Sequence, residues 1–153
     1  QLVNVYRSHI PQISLSTDAS ELIRLLHGEH QLGVITDGDF VSQRNKVEAL
    51  GLKKYIEKIV FTDELGKDRK CWKPHPKSYI EIVNYYQVVH ENCIYIGDNL
   101  SKDFITAKKL GWKTIRLSKD GAEYQGLTVG SDYHADHEIG SLLGVLDILD
   151  EIG

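Results

Sequence analysis

Short apolar runs alternate with amphipathic stretches along this chain, and that alternation leaves few folds open. The runs lie at residues 31–36, 58–62, 92–97 and 113–117, with a last short one at 133–135. Each is brief, apolar and bounded by turn residues, which predicts strands. Helices are predicted between them. Asp18 is read as the N-cap of a helix over 19–26, whose apolar face is Leu22, Ile23, Leu25 and Leu26. A second covers 43–50, with Val47 and Leu50 inward and Gly51 as its C-cap. A third starts at Pro76 or Lys77 and runs to about Val89. A fourth covers 101–110, closed by Gly111, and an amphipathic helix over 138–149 ends the domain. Residues 3–10 read as a helix end or linker stopped by Pro11, 63–72 as a polar charged loop, and 118–130 as a Gly-rich loop.

Strand–helix alternation with short apolar strands is the pattern of a parallel sheet covered on both faces. Right-handed crossovers put the C-terminal ends of such strands on one edge, and open α/β sheets bind ligands there. The sequence shows no internal repeat and no second-domain boundary. Its 153 residues suffice for one domain with a real core.

Composition narrows the function classes. A net charge of -4 leaves no basic footprint for nucleic acid. The apolar runs are too short to span a bilayer, and no signal peptide opens the chain. Cys71 and Cys93 have neither metal-site spacing nor the look of a disulfide framework, so a reducing cytoplasm is expected. The chain begins at Gln1 and contains no Met, so part of a longer protein is expected.

Three stretches carry the chemistry. In the first, Thr36 ends an apolar strand and is followed by Asp37 and Gly38. A hydroxyl there, beside backbone that a glycine lets come close, suits phosphate oxygens, though it also suits a helix cap. In the second, Lys73 precedes Pro74-His75-Pro76. A lysine held by stiff backbone offsets phosphoryl charge, though most lysines are merely solvated. In the third, Asp98 follows the strand and Gly97, and Asp103 lies five residues on, at the next helix. Two carboxylates so placed suit one hard divalent cation, or equally a helix cap and a first-turn acid.

Taken in this order, the stretches resemble the second, third and fourth motifs of the haloacid dehalogenase (HAD) superfamily. Thr36 matches the motif-two Ser/Thr, and Lys73 in Lys-Pro-x-Pro matches motif three as the helical-capped subfamily writes it. Gly97-Asp98-Asn99-x-x-x-Asp103 matches motif four, and Ala107, Leu110, Gly111 and Trp112 continue as members do. The resemblance covers roughly residues 4–149. It implies an α/β, HAD-like Rossmannoid three-layer sandwich with a parallel sheet, of which residues 1–153 are the C-terminal core portion. It also implies a Mg2+-dependent phosphohydrolase of small phosphorylated metabolites that works through an aspartyl phosphate. By the same resemblance, Thr36, Asp37, Gly38 and Lys73 bind the phosphoryl group. Lys73, Thr36 and Asp98 are the catalytic set, and Asp98 and Asp103 serve Mg2+.

The departure from the family is at motif one. No Asp-x-Asp-x-Thr precedes Thr36, and Asp18 is followed by Ala19 and Ser20. Asp37 and Asp39 have the spacing, but Thr36 already occupies motif two there. The first central strand and the helical cap are absent with it. The chain alone is therefore expected to be inactive, with sheet edges completed by a missing N-terminal segment or a partner chain. The alternative is a non-catalytic HAD-like binding or assembly module. A dehalogenase attacking carbon fits less well, since that chemistry needs no metal pair. His134 and His137, flanking Ala135-Asp136, are expected to be structural rather than metal ligands. Tyr85 and Tyr86 are expected to pack and rim a helix.

Overall fold

The computed structural model describes residues 9–118 and 130–153, so the readings on 3–10 and 118–130 lie almost wholly outside the described residues. The fold forms two compact units, one up to Tyr86 and one from Gln87 to Gly153.

In the first unit, α1 (Thr17–Leu26), β1 (Gly33–Thr36), α2 (Phe40–Ala49), β2 (Lys58–Phe61) and α3 (Lys77–Tyr86) follow one another. The strands pair in parallel, from Gly33 beside Lys58 to Thr36 beside Phe61. Val47 on α2 joins Leu52 and Ile56 in a buried cluster, packed by Ile23, Val34, Leu50, Ile59 and Phe61. Tyr86 fastens α3 to β2 and to the residue before β1. Its hydroxyl donates to Leu32 O at 2.5 Å and accepts from Lys58 N at 3.2 Å. Burial raises its phenol pKa above the ordinary value.

Helix boundaries shift for identifiable reasons. Ser16, not Asp18, caps α1, its hydroxyl accepting from Ala19 N while donating to the Asp18 carboxylate. Leu25 is exposed rather than core-facing, and Leu22 is the buried residue of that face. Asp39 caps α2 through Ser42 N at 3.1 Å, so the helix starts at Phe40, three residues before Gln43. β1 begins at Gly33 rather than residue 31, and Thr62 belongs to a 3-10 turn (Thr62–Glu64) rather than to β2. α3 stops at Tyr86 because Gln87 takes a left-handed conformation, φ 54°.

In the second unit, β3 (Ile94–Gly97), α4 (Phe104–Lys109), β4 (Lys113–Leu117), β5 (His137–Ile139) and α5 (Gly144–Ile152) follow. The sheet order is β3-β4-β5, all parallel. Tyr95, Leu100, Phe104, Ala107, Trp112, Ile115, Val145 and Ile148 are its buried apolar residues among those described. Trp112 Nε1 donates to His90 Nδ1 at 2.7 Å, so the buried indole keeps a partner. α4 starts later than residue 101 because Asn99 Oδ1 accepts from Ser101 N at 2.9 Å and Ser101 Oγ at 2.7 Å, turning the chain first. The strand expected at 133–135 is instead a 3-10 turn (Ser131–Tyr133), and pairing begins at His137. Glu138 is therefore in a strand, and the last helix begins at Gly144.

Both sheets are parallel, as an α/β chain requires. Among the described residues β1 pairs with β2 alone, and β3 with β4 alone.

Asp136 ties β5 to β4. Its Oδ2 accepts from Thr114 N at 2.9 Å and Thr114 Oγ1 at 2.7 Å, and Lys108 Nζ lies 3.4 Å from Oδ1. Burial acts to raise the Asp136 pKa, but the Thr114 hydrogen bonds and the Lys108 charge outweigh it, and the net shift is down. A carboxyl depressed in the fold adds stability above its unfolded pKa and loses it as pH falls through the folded value. Asp136→Asn should therefore melt lower than the native chain at neutral pH. The gap should close on acidification below about pH 4, read as thermal midpoints by circular dichroism.

Candidate functional site

The first unit gathers Thr36, Asp37, Gly38 and the Lys73 segment around the end of β1. Parallel pairing sets Thr36 beside Phe61, so Thr62 emerges next to Asp37. Asp37 Oδ1 accepts from Thr62 Oγ1 at 2.9 Å and from Lys73 N at 3.1 Å. One carboxylate oxygen thus joins the β1 turn, the β2 turn and the lysine segment. Asp37 Oδ1 thus acts as a brace between these segments. Lys73 is half-buried, and its peptide bond to Pro74 is cis.

A second brace runs parallel to the first. Asp63 Oδ2 accepts from Phe40 N at 3.1 Å, and Oδ1 from Trp72 Nε1 at 3.3 Å. The α2 N-terminus and the residue before Lys73 are therefore held by the same side chain. Arg69 lies over the Trp72 ring at 4.9 Å. His75 is exposed, and its Nδ1 accepts from Lys77 N at 3.2 Å at the start of α3. Thr36 Oγ1 donates to Gln43 Oε1 at 2.9 Å. Gly38 has φ 130°, which calls for glycine, and a Cβ there would lie 2.6 Å from Gln43 Nε2.

Thr62, Asp63, Trp72 and Gln43 are not among the residues singled out from the sequence. A tryptophan in an otherwise polar charged loop is a local signal for Trp72. The other three have none, because each acts through a partner distant in sequence or through the shape of a turn.

The second unit gathers Asp98 and Asp103. Asp98 is exposed, whereas Asp103 is 3% exposed. Asp103 Oδ2 accepts from Asn99 N at 3.0 Å and Asp98 N at 3.3 Å, and Oδ1 lies 3.4 Å from the Tyr95 hydroxyl. A Cβ on Gly97 would lie 2.6 Å from Asp103 Oδ2, so only glycine lets the carboxylate fold under the loop. Asp103 shapes the turn that presents Asp98. Among the described residues no group of three or more His, Cys, Asp or Glu gathers as a metal cage. An exposed carboxylate backed by a buried one still fits Mg2+, which keeps several waters and takes few protein ligands.

In the His134–His137 segment Asp136 accepts from Thr114 Oγ1, and Lys108 Nζ donates to His134 O at 3.0 Å. Cys71 and Cys93 are free thiols. Among the described residues no helix is long and apolar enough to cross a membrane.

The Asp37 brace predicts a measurable cost. Asp37→Ala leaves Lys73 N without its acceptor, while Thr62 Oγ1 keeps Thr36 O at 3.2 Å, and should destabilise the chain by about 1–2 kcal/mol in urea unfolding. An unchanged midpoint would mean that Asp37 does not hold these segments.

Residues 2–117 match the haloacid dehalogenase-like hydrolase family. Glyceraldehyde 3-phosphate phosphatase of Methanopyrus kandleri is 31% identical over 132 residues, covering 86% of this chain and 54% of that protein. N-acylneuraminate-9-phosphatase of Rattus norvegicus is 26% identical over 146 residues, covering 95% of this chain and 56% of that protein. A HAD phosphatase structure from Thermococcus onnurineus superposes with TM-score 0.73 at 25% identity, over 88% of this chain and 58% of that one. The chain spans about half the length of the curated relatives it matches. With its parallel α/β sheets, its Thr36 and Lys73 turns and its Asp98 loop, the chain belongs to the haloacid dehalogenase-like hydrolases.

Proposed function

We propose that the protein containing this chain is a Mg2+-dependent phosphohydrolase of small phosphorylated metabolites. The observation that carries the reading is the Asp37 brace, which fixes the Lys73 backbone against the turn bearing Thr36 and Gly38. Binding an anion with a hydroxyl and a lysine needs both held in advance, and a braced pair avoids reorganisation when charge develops. Thr36 and the Gly38 amide would take phosphoryl oxygens, and Lys73 would neutralise them. The phosphatase names of the relatives support the substrate class.

Asp98 would bind Mg2+, with Asp103 supporting the metal through water or directly. When bound, the ion would supply Lewis-acid stabilisation of phosphoryl charge. Asp103 acts on that site through the Asp98 and Asn99 amides. The nucleophilic carboxylate would come from a segment outside these 153 residues or from a partner chain, and the same segment would pair with an open edge of β1 or β3. Residues 1–153 would then be the C-terminal part of one core domain. The two free thiols suit a cytoplasmic location.

The missing Asp-x-Asp supports one competing reading, a non-catalytic binding or assembly module. Phosphate release from glyceraldehyde 3-phosphate and N-acylneuraminate 9-phosphate, assayed on the full-length protein with and without Mg2+, separates the two. The phosphohydrolase reading expects Mg2+-dependent turnover that Asp98→Asn abolishes. Asp103→Ala should weaken the apparent affinity for Mg2+ by about 10–100-fold. Activity that persists in chelator, or an Asp98→Asn protein as active as the native one, would overturn it. Binding of phosphate without turnover would favour the module.

A further inference from the structure

We propose that Gln43 is a positioning residue for Thr36, its side-chain amide deciding whether the threonine hydroxyl can donate to a bound phosphoryl oxygen. The proposal rests on the reading of Thr36 as a phosphoryl ligand.

Gln43 stands in the fourth position of α2, counting from Phe40. Side chains on a helix lean toward its N-terminus, so the Gln43 amide returns over the turn that joins β1 to α2. It meets Thr36 Oγ1 there, 2.9 Å from Oε1, with the hydroxyl donating. A threonine hydroxyl has one proton. While Gln43 Oε1 holds that proton, Thr36 has none to give an anion.

The remedy lies within the same side chain. If the amide turns over, Nε2 donates to Thr36 Oγ1, and the hydroxyl proton is released toward the phosphoryl group. The terminal torsion of glutamine is soft and roughly two-fold, so the exchange costs little if there is room. Gly38 provides the room. A Cβ at that position would lie 2.6 Å from Gln43 Nε2, 3.1 Å from Cδ and 3.1 Å from Cγ. The left-handed turn and the missing side chain therefore serve the glutamine as well as the backbone. In the anion-bound state, donation would run from Gln43 Nε2 to Thr36 Oγ1, and from Thr36 Oγ1 to the phosphoryl oxygen.

The test is a double-mutant cycle on the full-length protein, with inorganic phosphate as the probe and its dissociation constant measured by calorimetry. Thr36→Val should weaken binding about tenfold, and Gln43→Leu by roughly three- to tenfold. The double variant should be no weaker than Thr36→Val alone, because Gln43 acts only through the hydroxyl. Gln43→Glu keeps the shape but only accepts. It should hold the proton, repel the anion and bind at least as weakly as Gln43→Leu, which covers the case in which the leucine variant folds poorly. Phosphate affinity unchanged in Gln43→Glu, or single effects that multiply in the double variant, would overturn the proposal while leaving Thr36 as a ligand. Unchanged affinity in Thr36→Val would instead remove the reading on which the proposal rests.

Discussion

One carboxylate oxygen, Asp37 Oδ1, sets the arrangement of the first unit's functional turns. It takes hydrogens from a hydroxyl 25 residues away and an amide 36 residues away. The strands behind these turns are only four residues each, too short to fix loop positions through ladder hydrogen bonds alone. A charged acceptor with two donors is a stronger tie than a neutral one. Its two partners come from two other segments, so losing it loosens three turns together. Asp63 repeats the arrangement one residue along from Thr62, tying the start of α2 to the indole of Trp72. The Lys73 segment is thus held by its own amide and by its neighbour's ring.

The second unit uses the same device twice. Asp103 accepts from two consecutive amides of the Asp98 loop, and Asp136 accepts from the amide and hydroxyl of Thr114. Thr114 is fully buried, and the reciprocal bond from Asp136 N to Thr114 Oγ1 at 2.9 Å completes the pair. In both units the carboxylates nearest the candidate site residues act first as acceptors for loop donors.

What could be read from the sequence follows from what is local. Lys113–Leu117 was legible to the residue, because its apolar run and its flanks define it without outside help. Thr36, Lys73 and Asp98 could be picked out because residue type and a strand end or proline flank coincide at each. The starts of α1 and α2 were misplaced because Ser16 and Asp18, or Asp39 and the residues after it, are competing caps whose choice depends on turn geometry. β5 was misplaced for a stronger reason. A three-residue strand such as His137–Ile139 has no period to detect and exists only through pairing with β4. Gln43 was invisible as a site residue because its role depends on the shape of the turn at Gly38.

Residue type alone does not separate a ligand from a brace, and the two kinds of aspartate in this chain show what does. Asp98 and Asp103 have the same side chain and sit five residues apart, yet one is exposed and the other is 3% exposed with both oxygens engaged. A buried carboxylate must be satisfied where it lies, so the fold spends it on amides. An exposed one is satisfied by solvent and need not be held by the fold. Asp37 Oδ1 is likewise engaged by loop donors, beside the Thr36 hydroxyl. Thr36 and Asp98 are thus next to, or five residues from, an aspartate that holds the loop.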